Sequence, residues 1–139
     1  MDAQAMKDTA RRWFTEVFDN GNFDLIEELA AEDYTFHHPR LGMVERDAYA
    51  DLANLFRTAF PDLNNTFEEQ IVEGNTVVTR GTTRGTQNGP LGDLGATGKT
   101  IAVPWVVFTR FDGEHIVEDW QVYDGLRVMN QLGVIPEDG

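Results

Sequence analysis

Hydrophobic residues in the first half of the chain recur at the three- and four-residue spacing that is typical of amphipathic helices. The first such stripe predicts a helix over about residues 3–19. A shorter second helix is predicted around residues 25–30, and a third over about residues 45–60, where a proline ends it. Between these two helices, the aromatic-rich segment 34–38 stops at another proline and is predicted to form a short strand.

The second half of the chain changes to β-branched and aromatic residues that alternate with polar ones, a pattern that predicts strands. Four strands are expected, at residues 66–72, 76–85, 100–111 and 115–123. Turn signals at Gly74 and Gly113 indicate hairpins between the first two and the last two strands. A short helix over residues 125–132 follows them.

A Gly-rich segment at residues 86–98 fits neither period, so we expect a long loop there. Loops of this length in compact domains are often binding loops or lids. Helices that precede a run of consecutive strands indicate an α+β fold in which the helices cover one face of a mostly antiparallel sheet. Because the sequence shows no repeat or linker, we expect one domain over residues 1–139, with room for a small-molecule pocket.

The composition fits a protein with a hydrophobic core and narrows the choice of partners. Hydrophobic residues make up 41% of the chain, and no run reaches the roughly 18 apolar residues that a membrane helix needs. The net charge of −13 repels nucleic-acid phosphates and anionic membranes, so we expect neither as a partner. This acidity serves either plain solubility or adaptation to a high-salt (halophilic) cytoplasm, where salt screens the self-repulsion.

Several kinds of chemistry find no support in the sequence. The chain has no cysteine, which excludes disulfides and a thiolate nucleophile. Its three histidines show no metal-binding spacing, so we expect no metal site. Phosphate-binding, nucleophile-elbow and dinucleotide fingerprints do not occur. The first residues lack the basic start and apolar run of a signal peptide, so we expect a cytoplasmic location.

Four phrases of the sequence suggest a family. They are residues 33–39 (DYTFHHP), 59–63 (AFPDL), 96–99 (ATGK) and 112–120 (DGEHIVEDW), the last continuing into 124–126 (DGL) and 131–133 (QLG). Together they resemble the SnoaL-like polyketide cyclases and the related ester cyclases of the nuclear-transport-factor-like superfamily. The resemblance implies a cone-shaped, strongly curved sheet packed on N-terminal helices (a cystatin-like roll), a deep pocket for a small hydrophobic ligand, and commonly a homodimer. It also implies that no metal or organic cofactor is needed.

Candidate chemistry lies on the predicted strand 115–123, whose alternation puts Asp119, Gln121 and Tyr123 on one face. The resemblance implies an acidic general acid/base at the position of Gln121, and a histidine partner on the preceding strand at Val107. Glutamine cannot titrate, and valine is inert. Gln121 would therefore orient a substrate carbonyl in an enzyme whose base lies elsewhere, mark a pocket that only binds, or form no more than a hydrogen bond to a loop.

We single out Asp119 and His37 as catalytic candidates. Burial in an apolar cone would raise the pKa of Asp119 and make it a better base near neutral pH; alternatively it is an exposed acid. The resemblance places a histidine at His37, which would titrate in the pocket or hydrogen-bond at its rim. His37 and His38 point in opposite directions, so at most one of them faces the pocket. Asp124 precedes a helix and either caps it or takes part in catalysis.

Aromatic and apolar residues complete the expected pocket. Trp105 and Val107 share a face of the strand 100–111, while Trp13 and Phe56 lie on helical stripes that contact either the core or a ligand. The predicted substrate-binding residues are Gln121, Tyr123, Trp105, Val107, Trp13 and Phe56. Trp120 should lie on the opposite face of the sheet, where it could pack in a dimer interface.

The leading hypothesis is a SnoaL-like small-molecule enzyme that performs proton-transfer chemistry (cyclisation, isomerisation or hydrolysis) on a hydrophobic, carbonyl-bearing substrate. Asp119 or His37 would move the proton, with Gln121 and Tyr123 as hydrogen-bonding partners. The alternative is a catalytically silent, small-molecule-binding member of the same fold, because Gln121 stands where the cyclases carry their acid. A third class is an interaction module that uses the convex face of the sheet.

Overall fold

The computed structural model describes residues 1–135 and shows N-terminal helices packed on one face of a curved, unclosed, six-stranded sheet. The α-helices are α1 (Ala3–Arg12), α2 (Ile26–Leu29), α3 (Tyr49–Ala59) and α4 (Gly125–Gln131). The carboxylate of Asp2 begins α1 by accepting a hydrogen bond from the Ala5 backbone N–H at 2.8 Å. None of these helices is long and apolar enough to cross a bilayer.

The strands follow mainly in the order of the chain. They are β1 (Ala30–His38), β2 (Gly42–Glu45), β3 (Asn64–Glu73), β4 (Thr76–Thr86), β5 (Thr100–Asp112) and β6 (His115–Tyr123). Their order across the sheet is β2-β1-β6-β5-β4-β3. Neighbours pair antiparallel except β1 and β6, which are parallel. The predicted α+β class with a mostly antiparallel sheet is therefore confirmed.

Alternation along β5 defines the inner face of the sheet. Every second residue from Ile101 to Phe111 is buried, and the residues between them are exposed or half-buried. The inner residues face the helices, as the two-residue period of a half-buried strand requires. The same face of β6 carries Asp119, Gln121 and Tyr123, as predicted.

The helix that α1 begins continues as a π-helical segment, Trp13–Asp19, which the sequence did not predict. Its backbone bonds span five positions, as between the Asn20 N–H and the Thr15 carbonyl at 3.0 Å. Trp13 from this segment is fully buried, with ring centroids 5.2 Å from Tyr34 and 4.5 Å from Tyr49. This aromatic cluster joins the first helix to β1 and α3.

Three local predictions need correction. The second helix ends at Leu29 because Ala30 already has extended backbone and begins β1, which is longer than the predicted strand. The third helix begins at Tyr49, preceded by a 3₁₀ turn at Arg46–Ala48. The short strand β2 was missed, because four largely exposed residues carry no burial pattern.

Candidate functional site

A cavity of about 1130 Å³ lies between the inner face of the sheet and the helices. Most of its wall is apolar. Central wall residues are Phe14, Phe18, Phe36, Leu52, Phe56, Phe60, Ile101, Val103, Trp105 and Val107. Exposed side chains from the turn after β1, the loop before β5 and the start of α4 form its mouth: Arg40, Leu41, Asp93 and Leu126. A cavity of this size and character suits a hydrophobic small molecule.

Gln121 and Val107 stand side by side on the cavity wall. They are directly paired residues of β6 and β5, and both line the cavity. The side-chain amide of Gln121 forms no hydrogen bond with any other residue among 1–135, so it is free to donate to or accept from a ligand. The interpretation of Gln121 as a loop anchor is therefore not supported by its contacts.

Tyr123 contributes a hydroxyl group to the same wall. It pairs with Trp105 across β6 and β5, and both residues line the cavity. Burial raises the pKa of Tyr123 above its ordinary value, although the nearby charge of Arg40 opposes that rise. Tyr123 is therefore neutral at physiological pH and can donate a hydrogen bond.

His38, rather than His37, is the histidine of the cavity. It ends β1, is buried, and lines the cavity wall. Its Nδ1 accepts hydrogen bonds from the backbone N–H groups of Arg40 and Leu41, each at 3.1 Å. Burial, and to a smaller extent the charge of Arg40, lowers the pKa of His38 to about 4, so the ring is neutral at pH 7.

The structure corrects the expectation that His37 faces the pocket. Consecutive residues of β1 point to opposite faces, so His37 lies on the outer face of the sheet. Its ring stacks on Trp120 with centroids 3.5 Å apart, and its Nε2 lies 2.8 Å from Oε2 of Glu118. Hydrogen bonds from His37 and, to a smaller extent, from Arg110 hold the pKa of Glu118 below its ordinary value. These contacts place His37 outside the cavity.

Asp119 is on the predicted face but lies deeper than the cavity. It is fully buried, and its carboxylate accepts hydrogen bonds from the hydroxyls of Tyr34 and Thr109, both at 2.6 Å. Burial raises its pKa to about 6 against the opposing effect of these hydrogen bonds. The alternative of an exposed acid is wrong, and the raised pKa is as expected. However, Asp119 is not part of the cavity wall, because β1 and its Tyr34 cover it.

The remaining candidates divide between the cavity and the core. Phe56, Trp105 and Val107 line the cavity as predicted. Trp13 does not, because it is enclosed by aromatic rings in the core, and its predicted contact with substrate needs correction. Asp124 caps α4, with its Oδ1 accepting from the Arg127 N–H at 3.0 Å.

Sequence reasoning missed several polar residues of the cavity: Arg40, Asn65, Thr83 and Asp93. Asn65 holds the wall together, because its Oδ1 accepts hydrogen bonds from Trp105 Nε1 at 3.2 Å and from the Thr83 hydroxyl. Asp93 belongs to the Gly-rich segment, so the prediction of a functional loop could have pointed to it. The others come from the ends of separate strands and turns, for which the sequence offered no signal.

Within residues 1–135, no group of three or more acidic or histidine side chains is placed to hold a metal ion. Among the side chains of the cavity wall in that range, Arg40 is the one fixed cation and Asp93 the one carboxylate, and both lie at the mouth. The interior of the cavity is therefore mostly apolar, with neutral hydrogen-bonding groups on β1 and β6 and, at Asn65 and Thr83, on β3 and β4.

A curved sheet, covering helices and a mostly apolar cavity with neutral polar groups define an α+β protein of the cavity-forming kind. Residues 8–132 match the model of the SnoaL-like polyketide cyclase family, and the chain belongs to that family. No curated protein sequence matches the chain at a significant level.

Solved structures agree with this assignment. The chain is 24% identical to a protein from Jannaschia sp. CCS1 provisionally assigned as a SnoaL-like polyketide cyclase, with a TM-score of 0.87 over 96% of this chain and 94% of that one. IdmH from Streptomyces antibioticus, provisionally assigned as a polyketide cyclase, is 26% identical, with a TM-score of 0.78 over 92% and 98%. AclR from Streptomyces galilaeus, provisionally assigned as a hydroxylase, is 20% identical, with a TM-score of 0.83 over 98% and 85%. The first and third likenesses show the fold alone.

Proposed function

We propose that the protein binds a hydrophobic, carbonyl-bearing small molecule in its cavity and performs proton-transfer chemistry on it: cyclisation, isomerisation or hydrolysis. The observation that supports this most is the position of Gln121 and Tyr123, side by side with apolar residues, on a mostly apolar wall. Family membership and the resemblance to IdmH favour the same class of substrate.

The cavity offers suitable groups for an aldol-type cyclisation. In this reaction a proton leaves the carbon next to one carbonyl, that carbon bonds to a second carbonyl carbon, and the second oxygen takes up a proton, so no oxidant is needed. Tyr123 and Gln121 would donate hydrogen bonds to the oxygen on which negative charge develops. Asp93, at the mouth, is the carboxylate that would accept the first proton. In this scheme Asp119 and His37 would not touch the substrate.

Ligand capture followed by a turnover assay tests this proposal. The purified protein is incubated with a metabolite extract, the retained molecules are identified by mass spectrometry, and each is assayed for conversion. We expect Asp93→Asn to lower kcat about 100-fold, the lower end of the usual contribution of general acid–base catalysis, with little change in Kd. The control is Glu114→Gln, which changes an exposed carboxylate in the β5–β6 turn, outside the cavity. Retention of a ligand without conversion would contradict the catalytic part, and no retention would contradict both parts.

A catalytically silent binding protein is the second candidate. It is favoured by the pairing of Gln121 with Val107, because these adjacent positions would carry the acid and the histidine that the resemblance implies. If it is correct, native protein should leave polyketide-like and lactone substrates unchanged, while Gln121→Asp combined with Val107→His should convert them. Val122→Asp serves as the control, since it adds the same charge to the same strand on the exposed outer face. Turnover by the native protein would rule this candidate out.

We also propose that two copies pair through the outer face of the sheet. One row of paired residues crosses all six strands: Ile71, Val78, Phe108, Trp120, His37 and Met43. Four members of this row, which we call the outer row, are large apolar side chains with 44–73% of their surface exposed. A second copy would cover these side chains. The cytoplasmic location stays a prediction.

A further inference from the structure

We propose that His38 is a ligand-binding residue that donates a hydrogen bond from Nε2–H to the carbonyl oxygen of the bound molecule, and that it does not act as a base. The carbonyl chemistry of the ligand rests on the function proposed above. The tautomer and the protonation state of the imidazole are inferred from contacts within the protein.

The turn after β1 fixes the tautomer of His38. Two backbone N–H groups, from Arg40 and Leu41, point at Nδ1 at 3.1 Å each, so Nδ1 must be the unprotonated nitrogen. In a neutral imidazole the proton is then on Nε2. Nε2 forms no hydrogen bond with any residue among 1–135, although the ring lines the cavity. The Nε2–H is therefore the polar group that this ring can offer to a ligand.

The surroundings of the ring keep it neutral. Phe36 and Phe56 stack on it with centroids 5.8 and 5.9 Å away, and Tyr123 meets it edge-on at 5.6 Å. Within residues 1–135, the titratable groups that face it are Arg40 and Tyr123, and neither supplies a negative charge that would favour the imidazolium form. Protonation of Nδ1 would also break its contacts with two backbone donors. The ring can thus donate a hydrogen bond throughout the physiological pH range but cannot accept a proton in it.

This state predicts which ligands the cavity prefers. A neutral donor enclosed by aromatic rings favours a molecule that brings an oxygen acceptor to Nε2, and disfavours a hydrocarbon of the same shape that leaves the donor unpaired. Because Tyr123 and Gln121 lie on the same part of the wall, one carbonyl oxygen could receive two such bonds.

Nuclear magnetic resonance of protein with ¹⁵N-labelled histidines tests the state of the ring directly. At pH 7 we expect a proton on Nε2 of His38 and none on Nδ1, with no titration of its signals between pH 8 and 5. His38→Asn assigns these signals by their disappearance. A proton on Nδ1, or a titration of His38 near pH 6.5, would overturn the proposal.

Binding of two matched probes tests the donor role. We compare 2-acetylnaphthalene, which has a carbonyl oxygen, with 2-ethylnaphthalene, which does not. The preference of the native protein for the ketone should fall roughly fivefold to tenfold in His38→Phe, the value of one neutral hydrogen bond. The same loss is expected in His38→Asn, whose side-chain oxygen can still accept a backbone N–H of the turn and so guards against misfolding.

His37→Phe is the matched control, because it removes the adjacent histidine from the outer face and should leave the preference unchanged. An unchanged preference in both His38 variants would refute the donor role. If neither probe binds the native protein, the proposed ligand class is wrong, and the labelled-histidine spectra still decide the state of His38.

Discussion

Asp119 is a carboxyl group held in the core by two hydroxyl donors, and its titration should affect the stability of the whole fold. Its pKa is raised to about 6 in the folded protein from an ordinary value of 3.8, mainly by burial. Between these values the folded state holds a proton that the unfolded chain has released. The free energy of unfolding should therefore fall as the pH rises through this window, by about 3 kcal/mol for this group.

Asp119→Asn tests this dependence, because asparagine keeps the shape and one acceptor oxygen but does not titrate. Urea unfolding of both proteins should show that native stability decreases relative to the variant between pH 4 and pH 7. Asp19, whose pKa is also raised to about 6 by burial, is present in both proteins and cancels in the comparison. A difference between the two proteins that does not change with pH would contradict the prediction.

For single residues, the sequence predicted which face of the sheet a side chain lies on better than it predicted how deeply that side chain is buried. Strand alternation placed Asp119, Gln121 and Tyr123 on one face and separated His37 from His38. It could not show that Asp119 lies under Tyr34, because that contact joins residues 85 positions apart. Nor could it decide which histidine faces inward, since the choice depends on how β1 pairs with β6.

The loop between β4 and β5 is organised by the side chain of Gln87. This fully buried amide donates to the carbonyls of Gly89 and Gly95 at 3.2 Å, and its oxygen accepts from the Thr97 hydroxyl at 2.7 Å. The loop carries Asp93 to the cavity mouth. We infer that the hydrogen bonds of Gln87 hold the loop in one conformation and thereby position the loop residues at the cavity mouth.

A methyl group at Gly89 should disrupt this support. A Cβ there would lie 2.1 Å from the Thr58 carbonyl oxygen, whereas a Cβ at Gly95 would meet no atom within 4 Å. We expect Gly89→Ala to lower the free energy of unfolding by about 1–3 kcal/mol and Gly95→Ala to change it by less than about 1 kcal/mol. Thermal or urea unfolding measures both. Equal effects of the two substitutions would contradict the close packing of the loop against α3 at Gly89.

At the level of elements, periodicity predicted the long helices and the strands from β3 to β6, where burial repeats over many residues. It missed β2, whose four residues form a strand only through their pairing with β1. It also missed the π-helical turn, because the apolar stripe over residues 3–19 is compatible with either helix type. The hydrophobic pattern alone encodes neither feature.

The exposed apolar side chains of the outer row are the basis of a prediction about the oligomeric state. Trp120 lies at its centre, stacked on His37 and half exposed. If two copies pair through this face, Trp120→Arg should shift the protein from dimer to monomer in sedimentation velocity at micromolar concentration. Gln4→Arg introduces the same charge on the exposed side of α1 and should leave the assembly unchanged. A native protein that sediments as a monomer would contradict the prediction.

At the scale of the whole molecule, the sequence predicted the class of fold from the order of its elements. It could not predict the volume of the cavity, which results from the curvature of the sheet and the packing of the helices against it. The single domain over residues 1–139 stays a prediction, as does the link between the acidic surface and a high-salt environment.

The parallel pairing of β1 with β6 also has a consequence for how the chain is made. During synthesis β1 and β2 leave the ribosome before the strand that covers the other edge of β1, which follows some 85 residues later. At usual rates of translation this is a delay of roughly 4 to 17 seconds. Until then one edge of β1 lacks its partner strand, while β3 to β6 can form by local hairpin steps. The open edge of β1 is therefore available for incorrect strand pairing during synthesis.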